Sequence, residues 1–562
     1  MPFLRRLKAP TLGLCLLALA CGCSQARYKR WADKQVFGIL KEKGKVLPEG
    51  DAEVLQNITP PAPPTLSELE SRVVKAEFLG DRAFVEKDAK VLTLASALDY
   101  ALHRNRTYLS RKERVYLSAL GLTQERQRFG TVADGQVNAN RTRSSLDTNS
   151  NSSAVNEIVR SSTFAATGAV TVSRLFRTGA RVAVGLTERF THWFGGGGPA
   201  PWRPGVALSA TQPLLANAGV LAAAEPLRQA ERDVLYEVRE FAQYRKAFVV
   251  DVFRQAMRLM LQREQARNRY IAYQSSLGAL ERERALAAAN LRSQSQLKQI
   301  EQGSLVYHRS WLSAVRSYED SLDDLKITLG LPVSERIMMN PEELKRLEVV
   351  DGAAEIEELI RLALASRTDI HNVADRLADA GRRVKIAHQA TLPGLDVTGE
   401  YLLTGRDGKP AAWPSNPDRR GSVGLELDLN LNQLPERNRL RAAQIQEQAA
   451  ARLWELEQEE LRSTLRSDHR GLKLAKQQHD LAMMGLDLAQ GRLEIEEALM
   501  AEGQGTARDI VESQDRMIVA RDLMISTMID HNIARLQMWL DAGALVLGKD
   551  PDWLSVLNQE KP

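Results

Sequence analysis

The chain has 562 residues, a net charge of +5 and 26% charged residues. It is longer than one ordinary domain, and its small positive excess is spread without a dense basic patch, which argues against a nucleic-acid partner. The three cysteines, Cys15, Cys21 and Cys23, all lie in the first two dozen residues. The exported chain therefore has neither a disulfide framework nor a thiolate metal site.

Residues 1–22 read as a lipoprotein signal peptide. Arg5, Arg6 and Lys8 form a positive n-region, and Thr11 to Ala20 form an apolar stretch too short to span a bilayer as a helix. It ends in Leu19-Ala-Cys-Gly-Cys-Ser24, which resembles a bacterial lipoprotein signal, where a cysteine after a small residue is acylated. Cys23 is slightly preferred over Cys21, and an ordinary cleaved signal peptide is the alternative. No later run of eighteen apolar residues follows, which leaves β-strands to make any membrane crossing.

Residues 23–90 begin polar and pass through Thr59-Pro-Pro-Ala-Pro-Pro-Thr65. Proline clusters favour extended backbone, so this part reads as a tether or strap. A first repeat then occupies 91–331. Thr93 caps a helix, a second helical pattern runs to about Arg128, and from 129 to 215 the texture turns to strands. Period-two alternation appears in Ala169-Val-Thr-Val-Ser and Arg181-Val-Ala-Val-Gly-Leu-Thr, joined by the turn-like Arg177-Thr-Gly-Ala, and again at Val206 to Leu215. Phe190, Trp193, Phe194 and Trp202 crowd near strand ends, as an interfacial aromatic girdle would. A long helical pattern covers 219 to about 300, breaks at a tip around Gly303, and returns to Leu329-Gly-Leu-Pro332.

After an irregular connector at 332–352, a second repeat occupies 353–547, with strands at about 395–431 and a long helix at about 434–500. Trp454, Leu461, Leu465 and Leu472, and later Ile510, Met517 and Met524, keep the seven-residue period of helices packed side by side. Between the two sets Gly503 and Gly505 break the helix and Thr506 can cap the next. The order of helix pair, strands, long helix and return helix thus occurs twice, and a tail follows at 548–562.

This layout resembles the TolC family of outer-membrane efflux proteins over roughly 90–547. The pieces that carry the likeness are Leu208-Ser-Ala-Thr-Gln-Pro-Leu-Leu215, the two glycine tips and Leu329-Gly-Leu-Pro332. The resemblance implies a mainly α fold with a β-barrel portion. In it a homotrimer shares one transmembrane barrel, about four strands per chain, continued by a periplasmic α-helical barrel. The hairpin at 169–187 exceeds that strand count and is expected to be an insertion or a strand extension. The resemblance also implies a periplasmic adaptor, an inner-membrane transporter, outer-membrane lipid, and no cofactor. The tips Gly303, Ser304, Leu305 and Val306, and Gly503, Gln504, Gly505 and Thr506, are expected to meet the adaptor. Asp509 and Glu512 match the acidic residues that narrow the periplasmic aperture and share one helix face. Repeated by three-fold symmetry they make anionic rings that favour cations. Gly505 and Arg309 depart from the family pattern, where an arginine and an acidic residue stand. Arg309 is therefore a candidate partner of Asp509 or Glu512 in a reversed gate contact.

No catalytic or metal constellation stands out. His469 and His479 are ten apart and are expected at the surface, and Gly195 to Gly198 lacks a following Gly-Lys-Ser/Thr and reads as a loop. The alternative to a duct is a lipid-anchored periplasmic coiled-coil scaffold or adaptor without a channel.

Overall fold

The computed structural model describes residues 25–47, 69–71, 76–147, 158–194, 202–289, 293–350, 355–405, 417–502, 504 and 506–547. Cys21, Cys23, the 59–65 proline cluster, the 195–198 loop, Trp413, Gly503, Gly505 and the tail lie outside them. The expected tether begins as a helix, α1 (Gln25–Lys43). The chain then forms β1 (Lys90–Leu92), α2 (Leu94–Arg104), α3 (Arg106–Arg128), β2 (Thr131–Asp147), β3 (Ile158–Leu175), β4 (Arg181–Trp193) and β5 (Trp202–Pro213). Next come α4 (Gly219–Ala223), the 64-residue α5 (Glu225–Ala288) and α6 (Gln294–Thr328). The supposed irregular connector holds β6 (Ile337–Met339) and α7 (Glu342–Lys345), and β6 pairs in parallel with β1. The second half has α8 (Ile356–Ser366), α9 (Thr368–Gln389), β7 (Gly394–Thr404), β8 (Asp418–Asp428), the 68-residue α10 (Leu434–Ala501) and α11 (Ala507–Asp541). Among the described residues no helix is long and apolar enough to cross a membrane.

Two compact units divide these elements. One holds the chain up to Val36, 117–235 and 373–454, and the other 37–116, 236–372 and 455–562.

The first unit contains a six-stranded sheet in the order β2-β3-β4-β5-β7-β8, antiparallel at every step. The hairpin expected as an insertion or a strand extension is part of the sheet itself, and the first repeat supplies four strands. Register and alternation carry one face across all six strands through Val137, Val172, Leu186, Leu208, Tyr401 and Val423. The other face carries Asn138, Thr171, Thr187, Ser209, Glu400 and Ser422. Side chains of successive residues point to opposite faces, so one face is apolar and the other polar. The apolar face is uncovered: Val137 is 81% and Val423 86% exposed. At one end of the sheet Phe190 packs 4.6 Å from Trp202 and 6.4 Å from Phe164, ring centre to ring centre. Near the helical end of the sheet Arg232 pairs with Asp375 at 2.9 Å and Asp379 at 2.5 Å, and Arg382 with Glu225 at 2.7 Å, tying α5 to α9.

The second unit makes the duplication explicit. Asn105, between α2 and α3, donates from Nδ2 to the carbonyl of Thr328 at 2.8 Å. Arg367, between α8 and α9, donates from Nη1 to the carbonyl of Asp541 at 3.2 Å. Each return helix closes on a left-handed glycine two residues later, Gly330 (φ 69°) and Gly543 (φ 70°). At Gly330 a side chain would collide with the backbone of Arg104, so the helix end can approach the α2–α3 corner only because no Cβ is there. The N-terminal segment is locked in by Glu86, which is fully buried. Arg263 donates to it from Nε and Nη2 at 2.7 and 2.9 Å, and the Tyr318 hydroxyl donates at 2.7 Å.

Candidate functional site

The candidate site is the end of the second unit where α5, α6, α10 and α11 stop or start. Its first turn lies elsewhere than the glycine at 303 suggested. Helix α5 ends at Ala288, and α6 starts at Gln294 under a capping box in which Ser293 and Gln296 satisfy each other's backbone N–H. Arg284 pairs with Glu301 at 2.8 Å, so the two helices are already antiparallel before Gly303 is reached. Hydrogen bonds from Lys298 and Arg284 hold the Glu301 carboxyl below its usual range. Gly303, Ser304, Leu305 and Val306 therefore sit inside α6 rather than at a tip, about 15 Å along the helix from its cap. Leu305 and Val306 face outward and Ser304 is buried.

The second turn falls where the sequence placed it. Helix α10 ends at Ala501 and α11 begins at Ala507, with Thr506 as its cap. The Asp509 carboxylate accepts from the Thr506 hydroxyl at 2.6 Å and from its backbone N–H at 3.3 Å, and Thr506 Oγ1 accepts from the Asp509 N–H. One turn on, Glu512 pairs with Arg516 on its own helix. Within one chain the expected contact between Arg309 and either acid is not made; Asp509 serves the cap and Glu512 the Arg516 guanidinium.

What the fold does bring together is a groove of about 230 Å³ lined by Ser276 and Ala279 of α5, Gly303, Ser304 and Tyr307 of α6, and Val511 and Glu512 of α11. Burial, and then the charges of Asp515 and Glu512, push the Tyr307 phenol up. Behind the groove lies a polar clamp between α5 and α11 that sequence reasoning missed. Asn268 Nδ2 donates to Asp522 Oδ1 at 2.5 Å, and Arg269 reaches Asp522 at 3.4 Å and Asp515 at 3.7 Å. Burial raises the Asp522 carboxyl, while Asn268 and Arg269 hold it down. The only sequence signal for the clamp was the seven-residue spacing of Asp515 and Asp522, which places both on one face of α11. His479, expected at the surface, is buried with Nδ1 3.3 Å from Thr527 Oγ1.

No protein-family model matches the sequence, and no curated protein matches it. Solved structures do. The CmeC outer membrane channel of Campylobacter jejuni matches with a TM-score of 0.61 at 13% identity, covering 90% of this chain and 95% of that one. The open state of the Neisseria gonorrhoeae MtrE outer membrane channel matches at 0.58 and 13%, covering 82% and 90%. The outer membrane protein VceC of Vibrio cholerae matches at 0.56 and 12%, covering 80% and 96%. The chain thus has the fold of these outer-membrane proteins, the TolC-like fold that the sequence resembles.

Proposed function

We propose that this chain is the exit duct of a tripartite efflux pump or type I secretion system in the bacterial outer membrane. Three copies share one β-barrel and continue it into the periplasm as a helical tunnel, with a lipid anchor at Cys23 or Cys21. The two-faced sheet carries this reading, since an apolar outside and a polar inside are what a membrane barrel with a wet lumen requires. The edges at β2 and β8 are open in one chain, and hydrocarbon tolerates no open edge, so copies must close the barrel. A second feature supports assembly. Leu474, Leu481, Leu488 and Ile495 of α10 recur at seven and are 54%, 67%, 73% and 61% exposed, a stripe suited to packing on a neighbouring copy.

The duct acts passively, and an inner-membrane transporter supplies energy through a periplasmic adaptor docked at the helical ends. Asp509 and Glu512, repeated around the axis, narrow the aperture. Opening splays α11 away from α5 and therefore breaks the Asn268–Asp522 and Arg269–Asp515 contacts. The test is membrane fractionation with cross-linking of the full-length protein. A heat-modifiable trimer in the outer-membrane fraction is expected; a folded protein found only outside that fraction supports the scaffold instead.

A further inference from the structure

We infer that all six strands form the membrane wall, so that three copies close an eighteen-stranded barrel instead of a twelve-stranded one and the exit admits correspondingly bulkier cargo. This rests on the trimeric duct proposed above, and it fixes the width of the outlet. The four strands per chain implied by the resemblance would leave β2 and β3 as an appendage, in a loop outside the bilayer or folded over the barrel mouth. The register argues otherwise. On the face that carries Leu186 and Leu208, β2 presents Val137 and β3 presents Val170, and Val137 is 81% exposed. On the opposite face the same two strands present Asn138 and Thr171. On the face with Leu186 and Leu208, β2 presents Ala133, Val137 and Ala139 and β3 presents Ala166, Val170 and Val172, small and apolar side chains flush with the lipid face of their neighbours, which a wall strand requires and an appendage in water does not.

Strand length agrees. A transmembrane strand needs about 9–11 residues, and β2 and β3 have 17 and 18. The hairpin therefore spans the bilayer and extends beyond β4, which pairs with β3 only from Thr163 to Leu175. Closure is also consistent. Five antiparallel steps make β8 run opposite to β2, so β8 of one copy meets β2 of the next as an ordinary antiparallel pair. Barrel diameter grows roughly in proportion to strand number, so eighteen strands give an outlet about 1.5-fold wider, and about 2.2-fold larger in cross-section, than twelve. At about 4.8 Å between strands and about 40° tilt the backbone diameter is about 36 Å against about 24 Å. The cargo class that fits is bulky: large amphiphiles or polypeptide segments with secondary structure, rather than small drugs alone.

Four single-cysteine variants of the full-length protein, Val137→Cys, Val170→Cys, Asn138→Cys and Thr171→Cys, reconstituted in lipid vesicles and spin-labelled, test this. In each, whichever of Cys21 and Cys23 is not acylated is also replaced. The expected result is oxygen accessibility, the mark of lipid, at 137 and 170, and accessibility to a water-soluble nickel chelate at 138 and 171. Water accessibility at all four positions overturns the inference, whether or not the protein conducts, while loss of conductance with the alternating pattern intact strikes at the duct instead. A second readout is the largest poly(ethylene glycol) admitted from the outer side. A radius about 1.5-fold above that of a twelve-stranded channel run alongside supports the wide barrel, and an equal radius contradicts it.

Discussion

Replacing Glu86 by alanine removes the carboxylate that accepts from both Arg263 and Tyr318. The glutamate is fully buried, Arg263 is 7% exposed, and three hydrogen bonds of 2.7, 2.9 and 2.7 Å converge on one carboxylate. Removing one partner of a buried pair costs about 3–5 kcal/mol, and Glu264, 3.7 Å from Arg263, offsets part of the stranded charge, so the lower end of that range is expected. Glu86→Gln keeps a neutral acceptor and should cost about 1–3 kcal/mol, since what is lost is the charge-assisted part of each bond. The neutral double variant Glu86→Ala/Arg263→Met should recover much of the loss, because the stranded charge is then gone. The assay is the thermal unfolding midpoint of the detergent-solubilised full-length protein. A Glu86→Ala protein as stable as the parent, or a double variant no better than the sum of the singles, refutes the reasoning. A marked drop also establishes that the stretch before β1 is structural rather than a loose tether.

Three further outcomes follow from the same geometry. Gly303→Ala should stabilise α6 by up to about 1 kcal/mol, because Gly303 is helical and an added Cβ meets nothing within 4 Å; a lower melting midpoint would restore Gly303 to a turn. Gly330→Ala should be the more damaging of the two matched glycine changes. Its Cβ meets the unyielding Arg104 backbone, on top of about 1–2 kcal/mol for left-handed backbone, whereas Gly543→Ala meets the Ser366 hydroxyl and should be partly rescued by Ser366→Ala in the same melting assay. Asp468 is pushed up to about 6 by burial and then by Asp541. A raised acid favours the fold while protonated, so its contribution is complete below the unfolded value near 4 and is lost as pH rises towards 6. The side chain is partly exposed to solvent, and the contribution is discounted accordingly to about 1 kcal/mol. Asp468→Asn should flatten the melting profile between pH 4 and 6, and an unchanged profile would assign that slope to other groups.

Much of the architecture was legible because it repeats. Two long helices, the second with seven-residue apolar spacing, two helix pairs before the strands and two return helices stand in the sequence as they stand in the fold. Strand β2 lies inside the stretch 129–215 read as strands but was not singled out there, for a physical reason. Ala133-Asp-Gly-Gln-Val-Asn-Ala-Asn140 is rich in residues depleted from strands, and its positions on the apolar face of the sheet are mostly small, so the alternation carries little hydrophobic contrast. The first tip was misplaced because glycine is the loudest breaker. Ser293-Gln-Ser-Gln296 held the quieter and correct signal, a capping box, while Gly303 is tolerated in a helix supported by its antiparallel neighbour. Glu86, the Asn268–Asp522 clamp and buried His479 depend on contacts between residues 48 to 254 positions apart, which no local pattern encodes. Asp509 and Glu512 were singled out by resemblance, and their in-chain partners Thr506 and Arg516 became visible only in the fold.

The measurement that tests the central claim most directly is single-channel conductance of the purified full-length protein in planar bilayers, with Asp509→Ala/Glu512→Ala alongside. The account predicts a small cation-selective conductance that rises in the double variant, although Asp509→Ala also weakens the α11 cap by about 1 kcal/mol. No conductance from a folded trimer, in the parent and in the double variant alike, would contradict it.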